Sequence, residues 1–64
     1  MTDTRWAVIE NAGYDRETVR RDDFASWVEA DRWATRHYGA DERDELRVDI
    51  ARWDMAEGFW SYDY

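Results

Sequence analysis

One histidine, two serines and a set of carboxylates are nearly all that this 64-residue sequence offers for chemistry, since it contains neither cysteine nor lysine. Covalent catalysis needs a nucleophile activated by a neighbouring base, and no such pair is available here. Ser26 opens a helix signature and is expected to be occupied as a cap. His37 falls in an apolar helical stripe, where a hydrogen-bonded core or C-terminal-turn role is expected. Carboxylate neighbours such as Asp22/Asp23 and Asp41/Glu42 are of the right type for general acid–base work, yet both stand in charged stretches where nothing would raise a pKa. The run Asp41-Glu42-Arg43-Asp44-Glu45 lacks the alternating ligands and the glycine of a calcium loop, and Arg43 in its middle opposes a cation. With no Cys and one His a zinc site is not expected either. The chain therefore reads as a non-enzyme without catalytic residues, metal ligands or cofactor.

What the residues do offer is charge and rings. Sixteen Asp and Glu face nine Arg, giving a net charge of −7, and eleven residues are aromatic, five of them Trp. Acidity of this degree usually belongs to aromatic-poor, disordered chains. Each ring here can bury ~150–250 Å², so a folded unit with a negative coat is expected, as one small acidic domain over residues 1–64. The charge disfavours direct contact with nucleic acid or an anionic membrane. No apolar run approaches the ~20 residues of a membrane helix, and the N-terminus lacks the basic and apolar regions of a signal peptide. The expected location is cytoplasmic. A GC-rich coding bias would by itself make every cation Arg; the physical alternative is that guanidinium groups pair with carboxylates and stack on rings within the molecule, and both readings can hold together.

These residues need elements to hold them. Ser26-Trp27-Val28-Glu29 matches a capping box, Gly39 suits a left-handed stop, and Arg36 and His37 suit the negative end of the dipole. Trp27, Ala30, Trp33, Ala34, His37 and Tyr38 fall within an arc of roughly 140° at helical spacing, which predicts a helix over 26–38. Residues 5–10 read as a central strand closed by Asn11-Ala12-Gly13, and 17–21 as a charged edge strand. Residues 40–45 read as a polar connection. Leu46, Val48 and Ile50 alternate with charges as a half-buried strand does; the helical rival places Leu46, Ile50 and Trp53 on one face. Residues 54–58 form a turn, and 59–64 a last strand with Trp60, Tyr62 and Tyr64 on one face. The fold class expected is α+β: a four-stranded, mostly antiparallel sheet with one helix across one face, in the order β-β-α-β-β. The opposite face has no element left to cover it. At least two of Trp6, Trp53, Trp60, Tyr62 and Tyr64 are therefore expected to be exposed, or buried only by a second copy.

Carboxylates set on a rigid scaffold can imitate the phosphates of duplex DNA, which presents one charge per ~1.7 Å of axis; they also serve as a plain solubilising coat. The expected partner-binding residues are Asp22, Asp23, Asp41, Glu42, Asp44, Glu45, Asp49, Asp54 and Glu57, with Trp53 and Trp60 adding aromatic hot spots. Three stretches carry a resemblance: Trp6-Ala7-Val8-Ile9-Glu10-Asn11, the acidic lead-in to a capped helix, and the ending from Asp44-Glu45-Leu46-Arg47-Val48-Asp49-Ile50 to Glu57-Gly58-Phe59-Trp60. They look like small acidic proteins of phages and mobile elements. In size, charge and layout the whole chain is similar to DNA-mimicking anti-CRISPR proteins. That resemblance implies a stoichiometric inhibitor that blocks DNA access to a CRISPR effector complex. The expected partner is thus a basic protein surface, a nucleic-acid-binding effector subunit, engaged by a monomer or weak homodimer. Two alternatives stand beside it: a self-associating module that dimerises through its aromatic sheet face, and an antitoxin-like neutraliser of a basic protein.

Overall fold

The computed structural model describes residues 4–64, so the signal-peptide reading above falls partly on residues 1–3, outside the described residues. In chain order the elements are β1 (Trp6–Glu10), β2 (Thr18–Phe24), α1 (Trp27–His37), α2 (Ala40–Glu45), β3 (Asp49–Asp54) and β4 (Phe59–Ser61). The strands form one sheet in the order β2-β1-β3-β4, with every neighbouring pair antiparallel. Helix α1 crosses one face, as the α+β reading expects. Strand β1 is central because both its faces are apolar: Val8 points to the helix side, Ala7 and Ile9 to the other, and all three are fully buried.

Helix α1 begins where its capping residues place it. Ser26 Oγ accepts the Glu29 N–H at 3.2 Å, while the Glu29 carboxylate reaches back to the Ala25 N–H at 2.9 Å. Ala30 and Ala34, fully buried, meet Val8, Phe24, Val48 and Ile50, with Trp6, Trp33 and Tyr38 packed around them. Small residues at the centre of the stripe let the helix lie close to the sheet while the rings seal its flanks. Trp27, expected inside, stands at the rim instead, 40% exposed. Its indole N–H donates to the Tyr64 hydroxyl at 2.9 Å.

The helix stop differs from the sequence reading. Gly39 takes an ordinary extended conformation as N-cap of α2, and Tyr38 ends α1 by going extended, its N–H bonded to Ala34 O. No left-handed residue is needed, because the extended step lays the half-buried Tyr38 ring against the core and lets its hydroxyl donate to Glu10 Oε2 at 2.7 Å. The polar connection is a short helix, α2, whose Glu42 Oε1 accepts the Gly39 N–H at 3.2 Å. Strand β3 then starts three residues later than the Leu46 start expected, and Leu46 caps α2 half-exposed.

The far face is not bare. Ala7, Ile9 and Ala51 lie there fully buried, covered by Trp60, Tyr62 and Ala12. Strand β4 stops at Ser61, so Tyr62 and Tyr64 part company. Tyr62 lies over the far face and donates to Glu17 Oε2 at 2.6 Å, whereas Tyr64 turns to the helix side. There it meets Trp6 edge-on at 4.9 Å and donates to Ile50 O at 3.0 Å. Of Trp6, Trp53, Trp60, Tyr62 and Tyr64, at least two of which the sequence reading places at the surface or under a second copy, only Tyr64 is exposed and the other four are half-buried; residues 60–64 close both faces of their own sheet.

Candidate partner-binding surface

Strand directions decide where the carboxylates go. Strand β1 runs from Arg5 towards Glu10, and the registers Trp6↔Phe24, Trp6↔Arg52 and Asp54↔Phe59 gather the end of β2, the end of β3 and the β3–β4 turn at its start. Asp22, Asp23, Asp54 and Glu57 therefore share that end of the sheet. Glu10↔Thr18 and Ile9↔Asp49 place Asp49 at the opposite end. Backbone bonds from Asn11 and Ala12 to Leu46 and Arg47 hold α2, with Asp41, Glu42, Asp44 and Glu45, at that same end. The nine acids named from sequence form two clusters towards opposite ends of the sheet.

Many of these carboxylates are already engaged. Asp23 takes a forked contact from Arg21 at 2.6 and 3.3 Å, and those hydrogen bonds hold its carboxyl below the usual range. Asp22 lies 3.9 Å from Arg5. Asp54 Oδ1 accepts the Ala56 and Glu57 N–H groups, both at 3.0 Å, and so builds the β3–β4 turn. Gly58 completes it at φ 76°, a backbone conformation a side chain resists. Asp49 Oδ1 accepts the Ile50 N–H at 2.8 Å. Trp53 and Trp60 form a cross-strand edge-on pair at 5.0 Å, half-buried, with the Arg5 guanidinium within 6 Å of both rings.

Three carboxylates on α2 are different. Asp41, Asp44 and Glu45 are exposed and, among the described residues, make no ion pair or side-chain hydrogen bond. At spacings of three and four they share one helical face, where each like-charge neighbour costs ~0.2–0.5 kcal/mol. Asp44 and Glu45 also sit at the negative end of the helix dipole, the wrong end for anions. The one cation on α2, Arg43, points to Asp31 of α1 at 3.1 Å. Beside this face opens a cavity of about 520 Å³ lined by Tyr14, Asp44 and Asp49 together with Arg43 and Arg47. Arg47 is held against the Tyr14 ring, 4.3 Å from its centroid, with Nη1 donating to the hydroxyl at 2.9 Å. On another flank Arg21, Arg32 and Arg36 line a second hollow with Trp33, beside Asp23 and Glu29.

His37 is exposed, its Nδ1 2.9 Å from Trp33 O and its ring stacked on the Trp33 indole at 4.0 Å. Among the described residues no three of His, Asp and Glu converge as a metal would require. The described residues contain no helix long and apolar enough to cross a membrane. Aromatic exposure falls where sequence reasoning did not look: Tyr14, Trp27 and Phe59 join Tyr64 at the surface. Only the tertiary course of the chain decides that, and no local pattern announces it. Comparison with known protein families, with curated proteins and with solved structures finds no match to this chain.

Proposed function

We propose that this protein is a binding protein without enzymatic activity, a stoichiometric inhibitor that occupies a basic, nucleic-acid-handling protein surface in place of nucleic acid. The observation that carries this reading is the uncompensated carboxylate face of α2. Asp41, Asp44 and Glu45 repel one another, two of them oppose the helix dipole, and none is satisfied within the described residues. A cationic partner would relieve all three penalties at once. The anti-CRISPR resemblance narrows the partner to the DNA-binding channel of a CRISPR effector complex. The rival reading of a dimer through an open aromatic face has less to draw on, because Trp60 and Tyr62 pack on their own sheet.

The test is a mobility-shift assay of effector binding to its target DNA. Protein added before DNA should block binding, saturating near one equivalent, and should lose potency as salt rises, since exposed charges are screened over ~8–10 Å at physiological ionic strength. Reversing Asp41, Asp44 and Glu45 together to Arg should abolish the block. Glu42 is left in place because it caps α2. A reversed protein that stays folded and inhibits as well as the parent would sink the proposal.

A further inference from the structure

The sheet has two outer edges, and they are treated differently. Strand β2 has seven residues against the five of β1, with two register shifts between them, and carries Arg20, Arg21, Asp22 and Asp23. Bulges and charges are how proteins keep an edge from pairing. Strand β4 has neither, and only its shortness, three residues, limits pairing there. Phe59-Trp60-Ser61 is uncharged and pairs with β3 in unbroken register. Phe59 is 53% exposed and Met55, in the turn before it, 73%. Glu57 and Asp63 bracket this neutral stretch, exposed and in no ion pair among the described residues.

We propose that the free edge of β4 takes up an extended, arginine-flanked segment of the basic partner as a fifth strand. This rests on the reading of the partner as a basic protein. Main-chain hydrogen bonds give such strand addition its affinity, and side-chain pockets and charges give its specificity. Three residues make only a short ladder, so the carboxylates at its two ends and the exposed Phe59 and Met55 must supply the rest. In extended chain the six steps from Glu57 to Asp63 span at most ~20 Å, and cations six residues apart on the incoming strand would meet both. A second copy fits badly, because it would bring the same Asp54, Glu57 and Asp63 against their own kind in a protein of net charge −7.

The experiment is an NMR titration of the isotope-labelled full chain with Arg-Thr-Val-Thr-Val-Thr-Arg and with a twin carrying Glu at both ends. The arginine peptide should shift the amides of Phe59, Trp60 and Ser61 saturably, and the glutamate twin should not. Glu57→Gln with Asp63→Asn should weaken binding roughly 2- to 30-fold, from two exposed ion pairs, while the unbound spectrum stays native. Shifts centred on residues 41–45 instead would overturn the edge proposal and leave the basic-partner reading intact. Equal binding of the twin, or no saturable change with either peptide, would also overturn it. Concentration-dependent β4 shifts in the free protein would assign the edge to a second copy and overturn it too. Failure of the basic-partner reading itself would appear separately, in the effector assay with the reversed α2 face.

Discussion

Removing the Tyr62 hydroxyl isolates the tether that holds the aromatic cover on the far face. Tyr62 donates to Glu17 Oε2 at 2.6 Å, and the same oxygen accepts the Gly13 N–H at 2.7 Å. The bond from Tyr62 is the larger cause, and with Gly13 it holds the Glu17 carboxyl below its ordinary range. Tyr62 is pushed well up, first by burial and then by the facing Glu17. A hydrogen bond to a charged acceptor contributes ~1.5–3 kcal/mol; because Glu17 is exposed, solvent reduces this to about 1 kcal/mol in Tyr62→Phe. With a urea m-value near ~1 kcal/mol/M for so small a protein, the midpoint should drop by about 1 M. Tyr62→Ala also strips the ring from Ala7, Ile9 and Ala51. A buried ring costs ~3–5 kcal/mol to truncate, so a half-buried one costs about 2, against a total stability of only ~3–5 kcal/mol for a chain of this size. The alanine variant should populate unfolded molecules measurably without denaturant. Glu17 provides a second readout. Its lowered pKa contributes stability above an unfolded value of about 4.3 and loses it as pH falls through the lower folded value. In Tyr62→Phe the carboxyl should titrate closer to that unfolded value by NMR. If the midpoint moves by less than about 0.2 M and the Glu17 titration stays put, the tether does not exist in solution and the reasoning fails.

Three further outcomes are expected. Ser26→Ala removes the acceptor for the Glu29 N–H and should lower stability by ~0.5–2 kcal/mol in chemical denaturation; an unchanged midpoint would place the helix start elsewhere. Ala34→Leu forces three carbons between α1 and the sheet and should destabilise by ~1–3 kcal/mol, which thermal melts would register. Burial is the first cause of the raised pKa of Tyr62, Tyr38 and Tyr64, so their protonated forms stabilise the fold below an unfolded value of about 10 and that contribution is lost as pH rises through the folded values. Urea midpoints from pH 8 to 12 should therefore fall, and less steeply in Tyr62→Phe than in the parent.

The helix and central strand were legible in the sequence because local rules and tertiary packing agree there. Ser26 and Glu29 mark the start of α1, the stripe around Ala30 and Ala34 marks its face, and Trp6 to Glu10 is apolar on both sides. Helix α2 hid because Ala40 to Glu45 buries nothing, so no apolar period betrays it. The alternation of Leu46, Val48 and Ile50 led to a strand beginning too early; the real strand runs on through Ala51, whose single methyl is fully buried but weighs little in a sequence pattern. Strand β2 continues to Phe24 behind charges and bulges that break the period of two. The acidic surface was legible in composition, but its division between two ends follows from strand directions. The far-face cover depends on Tyr62 reaching Glu17 from 45 residues away, a contact no window contains.

The strand order has one more consequence. Strands β1 and β2 form one hairpin and β3 and β4 another, and the sheet joins them only along the seam of Trp6 to Ile9 with Asp49 to Arg52. Ala7 and Ala51 face each other across it, both fully buried. Everything that links the hairpins covalently passes through α1 and α2. Two molecules that open at the extended Tyr38–Gly39 step between α1 and α2 could exchange their second hairpins and recover every pairing of the seam, each with the other's strand. Such a swapped dimer differs from two monomers only in the path of the linker. High concentration and a stiffened α2 should favour it, and because it keeps the native sheet it would carry two acidic α2 faces on a single particle.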